Sequence, residues 1–282
     1  MTTALNILHG AFGRVALLDM DQSLVPHAHH HCHVLLKGSG ADQDFVVRGE
    51  TCPLEDDTAV LVNSWAEHAY RHRPGEDRTL ILALYIEPGW LSDLDLALTS
   101  SVHPTFFSQP CVRITPEVRR LAGQMADILN LGVELEPDEA ETMIFDLMIA
   151  VIDRFSNWRA FRGVRALPGR VTDFRIRRAI AAMRASPIES VDINKLAEIA
   201  GLSRPRFFQL FKQSTGITPF MYANVLRVEQ AVRALSTTRN PIIDISMDLG
   251  FDAQSNFTRF FRQNVGVTPR EYRKTVSVLA HG

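Results

Sequence analysis

The C-terminal half of the chain contains a diverged internal duplication, and this repeat restricts the possible folds more than any other feature. One copy, VDINKLAEIAGLSRPRFFQLFKQSTGITP, spans Val191–Pro219, and the other, PIIDISMDLGFDAQSNFTRFFRQNVGVTP, spans Pro241–Pro269. Glycine, phenylalanine and proline positions recur at an offset of 49 residues before the turn and 50 residues after it. Two copies predict a tandem pair of helical units rather than a solenoid, because a solenoid needs more repeats to bury its core.

Each copy has the pattern of a helix-turn-helix. A short helix ends at Gly201 or Gly250, since glycine adopts the positive φ of a tight turn. Ser203 and Asp252 are predicted to cap the second helix, and Pro205 suits its first turn. That helix buries phenylalanines and exposes side chains able to meet phosphates and base edges. These candidates are Arg204, Arg206, Gln209 and Lys212 in one copy, and Gln254, Ser255, Thr258, Arg259 and Arg262 in the other.

Charge is unevenly divided along the chain and favours the same interpretation. Residues 1–165 carry 13 Lys and Arg against 23 Asp and Glu, whereas residues 166–282 carry 17 against 9, although the whole chain has a net charge of only −2. A basic segment with these exposed side chains predicts a polyanionic partner. The sequence therefore predicts double-stranded DNA as the partner of the C-terminal half and a separate, acidic domain before it.

The stretch GFDAQSNFTRFFRQNVGVTPREYR, Gly250–Arg273, closely resembles the signature of the AraC/XylS transcriptional regulators. The resemblance covers residues 171–275 and implies a DNA-binding domain in which a long helix, here Phe220–Leu235, holds two recognition helices about one DNA turn (~34 Å) apart. It also implies a homodimer that contacts RNA polymerase, most commonly as an activator. Pro205 and Phe208 stand where many members of the family have polar or aromatic side chains that contact bases.

The N-terminal half is predicted to be an antiparallel β domain, because short apolar runs alternate with Pro, Gly, Asp and Ser clusters. The predicted strands are Arg14–Met20, Val34–Lys37, Phe45–Arg48, Ala59–Asn63 and Thr79–Ile86. After Pro116, apolar residues recur at helical spacing and predict an antiparallel pair of helices, Pro116–Leu131 and Asp138–Asn157. These helices either cap the β domain or, as the family resemblance implies, form a dimer interface.

Five histidines lie within seven residues in PHAHHHCHVLLKG, and His68 follows a predicted strand. In a regular strand, period 2 places His27, His29, His31 and His33 on one face and His30 on the other. The layout resembles the metal-binding motifs of the cupin barrel, in which His27 and His29 match the first pair, His33 replaces the usual acid and His68 matches the last ligand. Four imidazoles suit a divalent transition metal such as Zn, Fe, Ni or Cu. Asp56 and Asn63 depart from the second motif.

Several functions of this barrel are open at the level of sequence. It binds a small effector without a metal, with Trp65, Tyr70 and Tyr85 as further pocket candidates, or it holds a metal through His27, His29, His33 and His68. A pH-responsive surface, a vestigial barrel in a constitutive DNA-binding protein, and a metal-dependent, dioxygenase-like enzyme fused to a DNA-binding module are alternatives. No acid/base constellation is recognisable, so we predict a regulator and not an enzyme.

The predicted fold class is α+β and multidomain. We expect a cupin-like effector-sensing barrel (1–112), a helical dimerisation segment (113–158), a linker (159–170) and an all-α DNA-binding domain with two helix-turn-helix motifs (171–282). The three cysteines have neither disulfide-framework nor zinc-finger spacing. No apolar run approaches the ~20 residues that span a bilayer, and no secretory leader is recognisable, so we expect a cytoplasmic protein without a membrane partner.

Overall fold

The computed structural model describes residues 2–161, 173–185 and 192–279. The N-terminal part is a β domain, as predicted, and the five predicted strands coincide with β2, β3, β4, β6 and β8 in the following set. The strands are β1 (Thr3–Gly10), β2 (Gly13–Met20), β3 (Cys32–Gly40), β4 (Gln43–Val47), β5 (Glu50–Leu54), β6 (Thr58–Val62), β7 (His68–Arg71), β8 (Thr79–Ile86), β9 (Cys111–Arg113) and, at the C-terminal end, β10 (Val276–Val278).

These strands form a large sheet with the order β10-β1-β2-β8-β3-β6-β9 and a small sheet with the order β5-β4-β7. Strand β8 lies between β2 and β3 and is covered on both faces. Leu82 and Leu84 point into the core under the helical pair, whereas Ile81 and Ala83 point into the core shared with the small sheet. Because both faces are buried, β8 is a continuous apolar run instead of an alternating one.

The helices that follow the β domain are α1 (Pro88–Leu94), α2 (Pro116–Leu131) and α3 (Pro137–Phe155), with 3₁₀ turns at Leu96–Val102 and Trp158–Phe161. The Thr115 hydroxyl accepts a hydrogen bond from the Val118 N–H at the start of α2, and Gly132 (φ 65°) ends that helix. The predicted bounds of α2 are confirmed. The apolar faces of α2 and α3 pack on the large sheet, so the helices cap the β domain within one chain.

The C-terminal part contains α4 (Phe174–Ala185), α5 (Ile193–Ala200), α6 (Arg204–Thr215), α7 (Pro219–Thr237), α8 (Ile242–Asp248), α9 (Gln254–Val265) and α10 (Pro269–Thr275). The sequence duplication corresponds to two helix pairs, α5–α6 and α8–α9, joined by α7. Gly201 and Gly250 have φ values of 66° and 74°, as their positions at the turns require. Ser203 occupies the N-cap position of α6 as predicted, but its hydroxyl makes no capping hydrogen bond with the helix. Ala253, and not the predicted Asp252, occupies that position in α9.

The prediction that residues 171–282 are all-α is wrong for Val276–Val278. This segment is β10, which pairs in parallel with β1 through the partners Ile7↔Val276 and His9↔Val278. The short strand covers an edge whose backbone groups would otherwise lack partners, and its valines favour an extended backbone. Most of the predicted linker, residues 162–170, and the first two residues of the predicted DNA-binding domain lie outside the described residues. Within the described part of the chain, no helix has the length and apolar character needed to cross a membrane.

Candidate DNA-binding surface and effector site

Helices α6 and α9 carry the nine predicted DNA-contacting side chains, and none of the nine is buried. Phe207 and Phe257 are fully buried, which fixes the rotation of each helix. Seven of the nine candidates are exposed and two are half-buried. The exposed set is Arg204, Arg206, Gln209, Lys212, Gln254, Ser255 and Arg259, and the half-buried pair is Thr258 and Arg262.

The cations on this surface are free of acidic partners. Within residues 192–279 and the other described ranges, none of the four arginines or Lys212 forms an ion pair with a carboxylate. The Arg206 guanidinium donates to the Gln209 carboxamide oxygen (3.0 Å) and the Arg259 guanidinium to the Asn256 carboxamide oxygen (2.9 Å). Such neutral contacts leave the positive charge available to phosphates and base edges.

Three of the predicted metal ligands come together in the β domain, and we call them the inner trio: His29, His33 and His68. One ring nitrogen from each lies within 4.8 Å of the other two. His29 Nε2 and His33 Nδ1 are 2.9 Å apart. The Nδ1–H of His68 donates to the carbonyl oxygen of Ala66 (3.0 Å), which leaves Nε2 as an acceptor. The Nε2 atoms of His33 and His68 are buried without a hydrogen-bond partner.

The surroundings of the inner trio favour neutral imidazole. Burial lowers the pKa of His29, His33 and His68 well below the ordinary value, and the neighbouring imidazoles lower it further. His33 and His68 also line a small cavity of about 20 Å³, which is room for one water-sized occupant. Neutral imidazole is the form that binds a metal, so the trio fits a transition-metal ion.

His27 was predicted as the fourth ligand, and the structure places it beside the trio instead of within the converging group. Its ring centroid lies 4.3 Å from that of His68, and its Nδ1–H donates to the carbonyl oxygen of Val25 (2.9 Å). The regular strand assumed for the histidine run is also wrong, because β3 begins only at Cys32 and His30 and His31 lie in a bend.

This bend turns His30 and His31 towards two carboxylates, and the four residues form an outer cluster of His30, His31, Glu87 and Glu229. His30 Nε2 lies 2.8 Å from Glu87 Oε2, and His30 Nδ1 lies 2.5 Å from Glu229 Oε1. Burial by itself lowers the pKa of His30, but its hydrogen bonds to Glu229 and Glu87 outweigh burial and raise the pKa to about 9. Because Glu229 lies on α7, the cluster joins the β domain to the helical segment.

A cavity of about 590 Å³, the central cavity, lies between β1, β2 and β8 on one side and α7 on the other. Its walls combine apolar side chains such as Val228 and Val232 with the guanidinium of Arg14. The Arg14 guanidinium lies 3.7 Å from the ring centre of Tyr85 and 5.9 Å from that of Tyr272. Among the described residues it forms no ion pair with a carboxylate.

Known proteins match the C-terminal part of this chain alone or, in some cases, most of its length. Residues 196–275 match the family model described as a helix-turn-helix domain. The chain is 26% identical over 262 residues to the HTH-type transcriptional activator RhaS of Citrobacter koseri, covering 90% of each chain. It is 39% identical over 82 residues to the arabinose operon regulatory protein of Escherichia coli K12, covering 29% of this chain and 28% of that protein.

These matches support the predicted resemblance to the AraC family of transcriptional regulators. Other matches are shorter: the RCS-specific HTH-type transcriptional activator RclR of Escherichia coli K12 is 34% identical over 106 residues, 38% of this chain and 37% of RclR. The chain thus spans little more than a third of the length of some of its curated relatives. The fold resembles apo ToxT K231A from Vibrio cholerae, with a TM-score of 0.57 and 13% identity over 93% of this chain and 97% of ToxT. RhaS, RclR and the arabinose operon regulatory protein are regulators or activators by name, in agreement with the prediction of a regulator and not with the dioxygenase-like alternative.

The β domain contacts α7, the helix that joins the two helix pairs. Trp65, predicted as a pocket residue, stacks on Tyr222 of α7 with ring centroids 4.7 Å apart and an interplanar angle of 7°. Trp65 adopts φ 63°, a strained value for a bulky residue, and its indole makes the contact with Tyr222 from this backbone conformation. Of the other two pocket candidates, Tyr70 is fully buried beside Phe45 in the core, and Tyr85 lines the central cavity.

Among the described residues, contacts of β10, α10 and α9 attach the C-terminal end of the helical part to the β domain. Strand β10 continues the large sheet, and His9 of β1 lies 2.5 Å from the Tyr272 hydroxyl of α10. The Arg262 guanidinium of α9 donates to the Gln22 carboxamide oxygen (3.1 Å). Residues 22–25 line a groove together with the predicted DNA-contacting face of α9. The arrangement of the β domain therefore affects access to that face.

Sequence reasoning missed Arg14, Glu87 and Glu229, which complete the central cavity and the outer cluster. Arg14 and Glu87 stand at the ends of predicted strands, where a charged residue is ordinary, and Glu229 lies 199 residues from His30. For Arg14, the only signal in the sequence was a single basic residue at the start of an apolar strand. That signal alone does not distinguish a ligand-binding arginine from a solvated one.

Proposed function

We propose that this protein binds double-stranded DNA through α6 and α9 and regulates transcription in response to a ligand held in the central cavity. The observation that carries the proposal is the pair of surfaces on α6 and α9, which are rich in Arg, Gln, Ser and Thr and whose cations form no ion pair with a carboxylate of the described ranges. Each helix is preceded by a glycine-containing turn and fixed by buried phenylalanines, so side-chain direction is set before DNA is bound.

Sequence-specific DNA binding is tested by fluorescence anisotropy. The DNA site is first selected from a random pool by the full chain. Arg259→Ala should weaken binding to the selected site by about 1–3 kcal/mol if Arg259 contacts a base, and should weaken binding to scrambled DNA much less. Arg119→Ala, which removes an exposed arginine of α2, is the control for loss of charge. Equal losses on both DNAs would make Arg259 a phosphate contact, and no selected site at all would refute the proposal.

The ligand that best fits the central cavity is an organic carboxylate with an apolar portion. The half-buried Arg14 side chain has no carboxylate partner among the described residues, and valines of α7 supply an apolar wall. Structures of the fold neighbour ToxT include one bound to an unsaturated fatty acid and one bound to (E)-4-(8-methylnaphthalen-1-yl)but-3-enoic acid, both carboxylic acids. The chemistry of those ligands supports the same class here.

Thermal unfolding with a series of straight-chain carboxylates tests this ligand class. A ligand at 100 times its Kd should stabilise the protein by about 2.7 kcal/mol. Arg14→Gln should remove most of that stabilisation, and the matched alcohols should give little. Failure of every carboxylate to raise the unfolding temperature would favour a vestigial cavity and constitutive DNA binding.

A second candidate function is metal sensing by the inner trio, favoured by its two unpartnered buried Nε2 atoms and the adjacent small cavity. His29, His33 and His68 would hold a divalent transition metal, with His27 as the residue nearest to completing the set. Metal analysis of the purified protein and of His33→Gln tests this candidate: equal metal content in the two proteins would refute it.

Further parts of the proposal rest on the family. The two sheets would form a cupin-like barrel over residues 1–112, residues 113–158 a dimerisation segment, residues 159–170 a linker and residues 171–282 a DNA-binding domain with two helix-turn-helix motifs. We propose a cytoplasmic homodimer that activates transcription through RNA polymerase; RhaS and RclR are activators by name. Sedimentation of the purified chain tests the dimer, and transcription in vitro tests activation.

A further inference from the structure

The outer cluster differs from the inner trio in ligand chemistry and in position. His30 and His31 are consecutive, yet the bend before β3 places their ring centroids 3.8 Å apart on one side of the chain. His30 Nε2 and His31 Nε2 lie 2.8 and 3.4 Å from the same oxygen, Glu87 Oε2. One donor atom from each of these three residues lies within 4.8 Å of the others.

We propose that His30, His31 and Glu87 bind a divalent transition-metal ion, and that Glu229 of α7 positions His30 for it. Two imidazoles and one carboxylate are a ligand set that zinc and ferrous iron use when further coordination positions stay open. The cluster lies on the wall of the central cavity, so an ion can enter and the remaining positions can be filled by water or ligand oxygen.

Glu229 has the position of an outer-shell carboxylate. Its Oε1 lies 2.5 Å from Nδ1 of His30, on the side of the ring away from Glu87. A carboxylate that accepts from one ring N–H leaves the other nitrogen to the metal and fixes the orientation of the imidazole.

Binding of the metal ion would be coupled to the contact between the β domain and α7. His30, His31 and Glu87 belong to the β domain, whereas Glu229 belongs to the helix that joins the two helix pairs. An ion that binds better when Glu229 contacts His30 stabilises this arrangement, and the arrangement in turn raises the affinity for the ion by the same factor. Only the consequence for DNA binding rests on the proposed function; the metal site does not.

Zinc titration of the full chain against a chromophoric chelator tests the site without DNA. The titration is made with the His33→Gln variant, so that the inner trio does not contribute to zinc binding. If this variant does not fold, the wild type is used instead. We expect one zinc ion per chain that Glu87→Gln or His31→Gln removes, and that Glu50→Gln, an exposed glutamate of β5, leaves in place. Circular dichroism checks that each variant is folded.

Glu229→Gln separates positioning from direct ligation. It should keep the stoichiometry of one zinc ion but weaken affinity by about 10- to 100-fold, as loss of an outer-shell partner does. Unchanged zinc affinity and stoichiometry in both Glu87→Gln and His31→Gln would overturn the site. Unchanged affinity in Glu229→Gln would overturn its positioning by α7, whatever the outcome of the DNA experiments.

Discussion

Protonation of His9 should weaken the attachment of α10 to the β domain. His9 is half-buried beside the Tyr272 hydroxyl, and its neighbours at this contact are that phenol and the Arg14 guanidinium. Burial, together with the positive charge of Arg14, lowers the pKa of His9 to about 3. A histidine with a lowered pKa stays neutral in the folded chain but takes up a proton in the unfolded chain once the pH falls below about 6.5.

The expected loss follows from this difference in pKa. The contribution of His9 to stability is complete above pH 6.5 and decreases as the pH falls from 6.5 towards 3, because the unfolded state then binds more protons. Between pH 7 and pH 5 the linkage relation gives about 2 kcal/mol. Solvent screening of a half-buried group reduces this to about 1–2 kcal/mol.

Urea unfolding of the wild type and of His9→Gln at pH 7 and pH 5 measures the effect. Glutamine keeps a donor and an acceptor near Tyr272 but does not titrate, and the other histidines contribute equally to both proteins. The free energy of unfolding of the wild type should fall by about 1–2 kcal/mol more than that of His9→Gln. Parallel losses in the two proteins would refute the burial of His9 against α10.

Three further outcomes are expected from single substitutions. Gly201→Ala should lower the free energy of unfolding by about 1–2 kcal/mol in a urea titration, because φ is positive at this residue although there is open space for a Cβ. Gly201→Asn should lower it less, since asparagine tolerates positive φ better than alanine. Equal losses would contradict the explanation by positive φ. Phe257→Ala should cost about 3–5 kcal/mol by the same assay because its side chain is fully buried, and a cost below 1 kcal/mol would exclude it from the core. Gln22→Ala should raise DNA affinity in anisotropy measurements by releasing Arg262; a lower affinity would show that Gln22 assists DNA binding.

Local chemistry explains which parts of the fold were predictable. The turns at Gly201 and Gly250 and the bounds of α2 follow from caps and periodicity within a few residues, so the sequence indicates them directly. The convergence of His29, His33 and His68 was predicted by resemblance to a motif. The outer cluster was not, because a bend before β3 breaks the period-2 pattern and Glu229 arrives from a distant helix. Strand β10 was not predicted because a segment of three residues is too short to show an alternating pattern.

The energetics of switching restrict the chemistry of the ligand that we propose for the central cavity. A ligand changes DNA occupancy only through different affinities for two arrangements of the chain, and a shift from 1:99 to 99:1 needs about 5.5 kcal/mol. A charged hydrogen bond to Arg14 supplies about 1.5–3 kcal/mol, so a small anion alone falls short. Burying about 100 Å² of apolar ligand surface against the valines of α7 adds about 2.5 kcal/mol. An amphipathic carboxylate that touches both Arg14 and α7 therefore gains about 4–5.5 kcal/mol and reaches the required shift at the upper end of that range, whereas acetate should bind without switching.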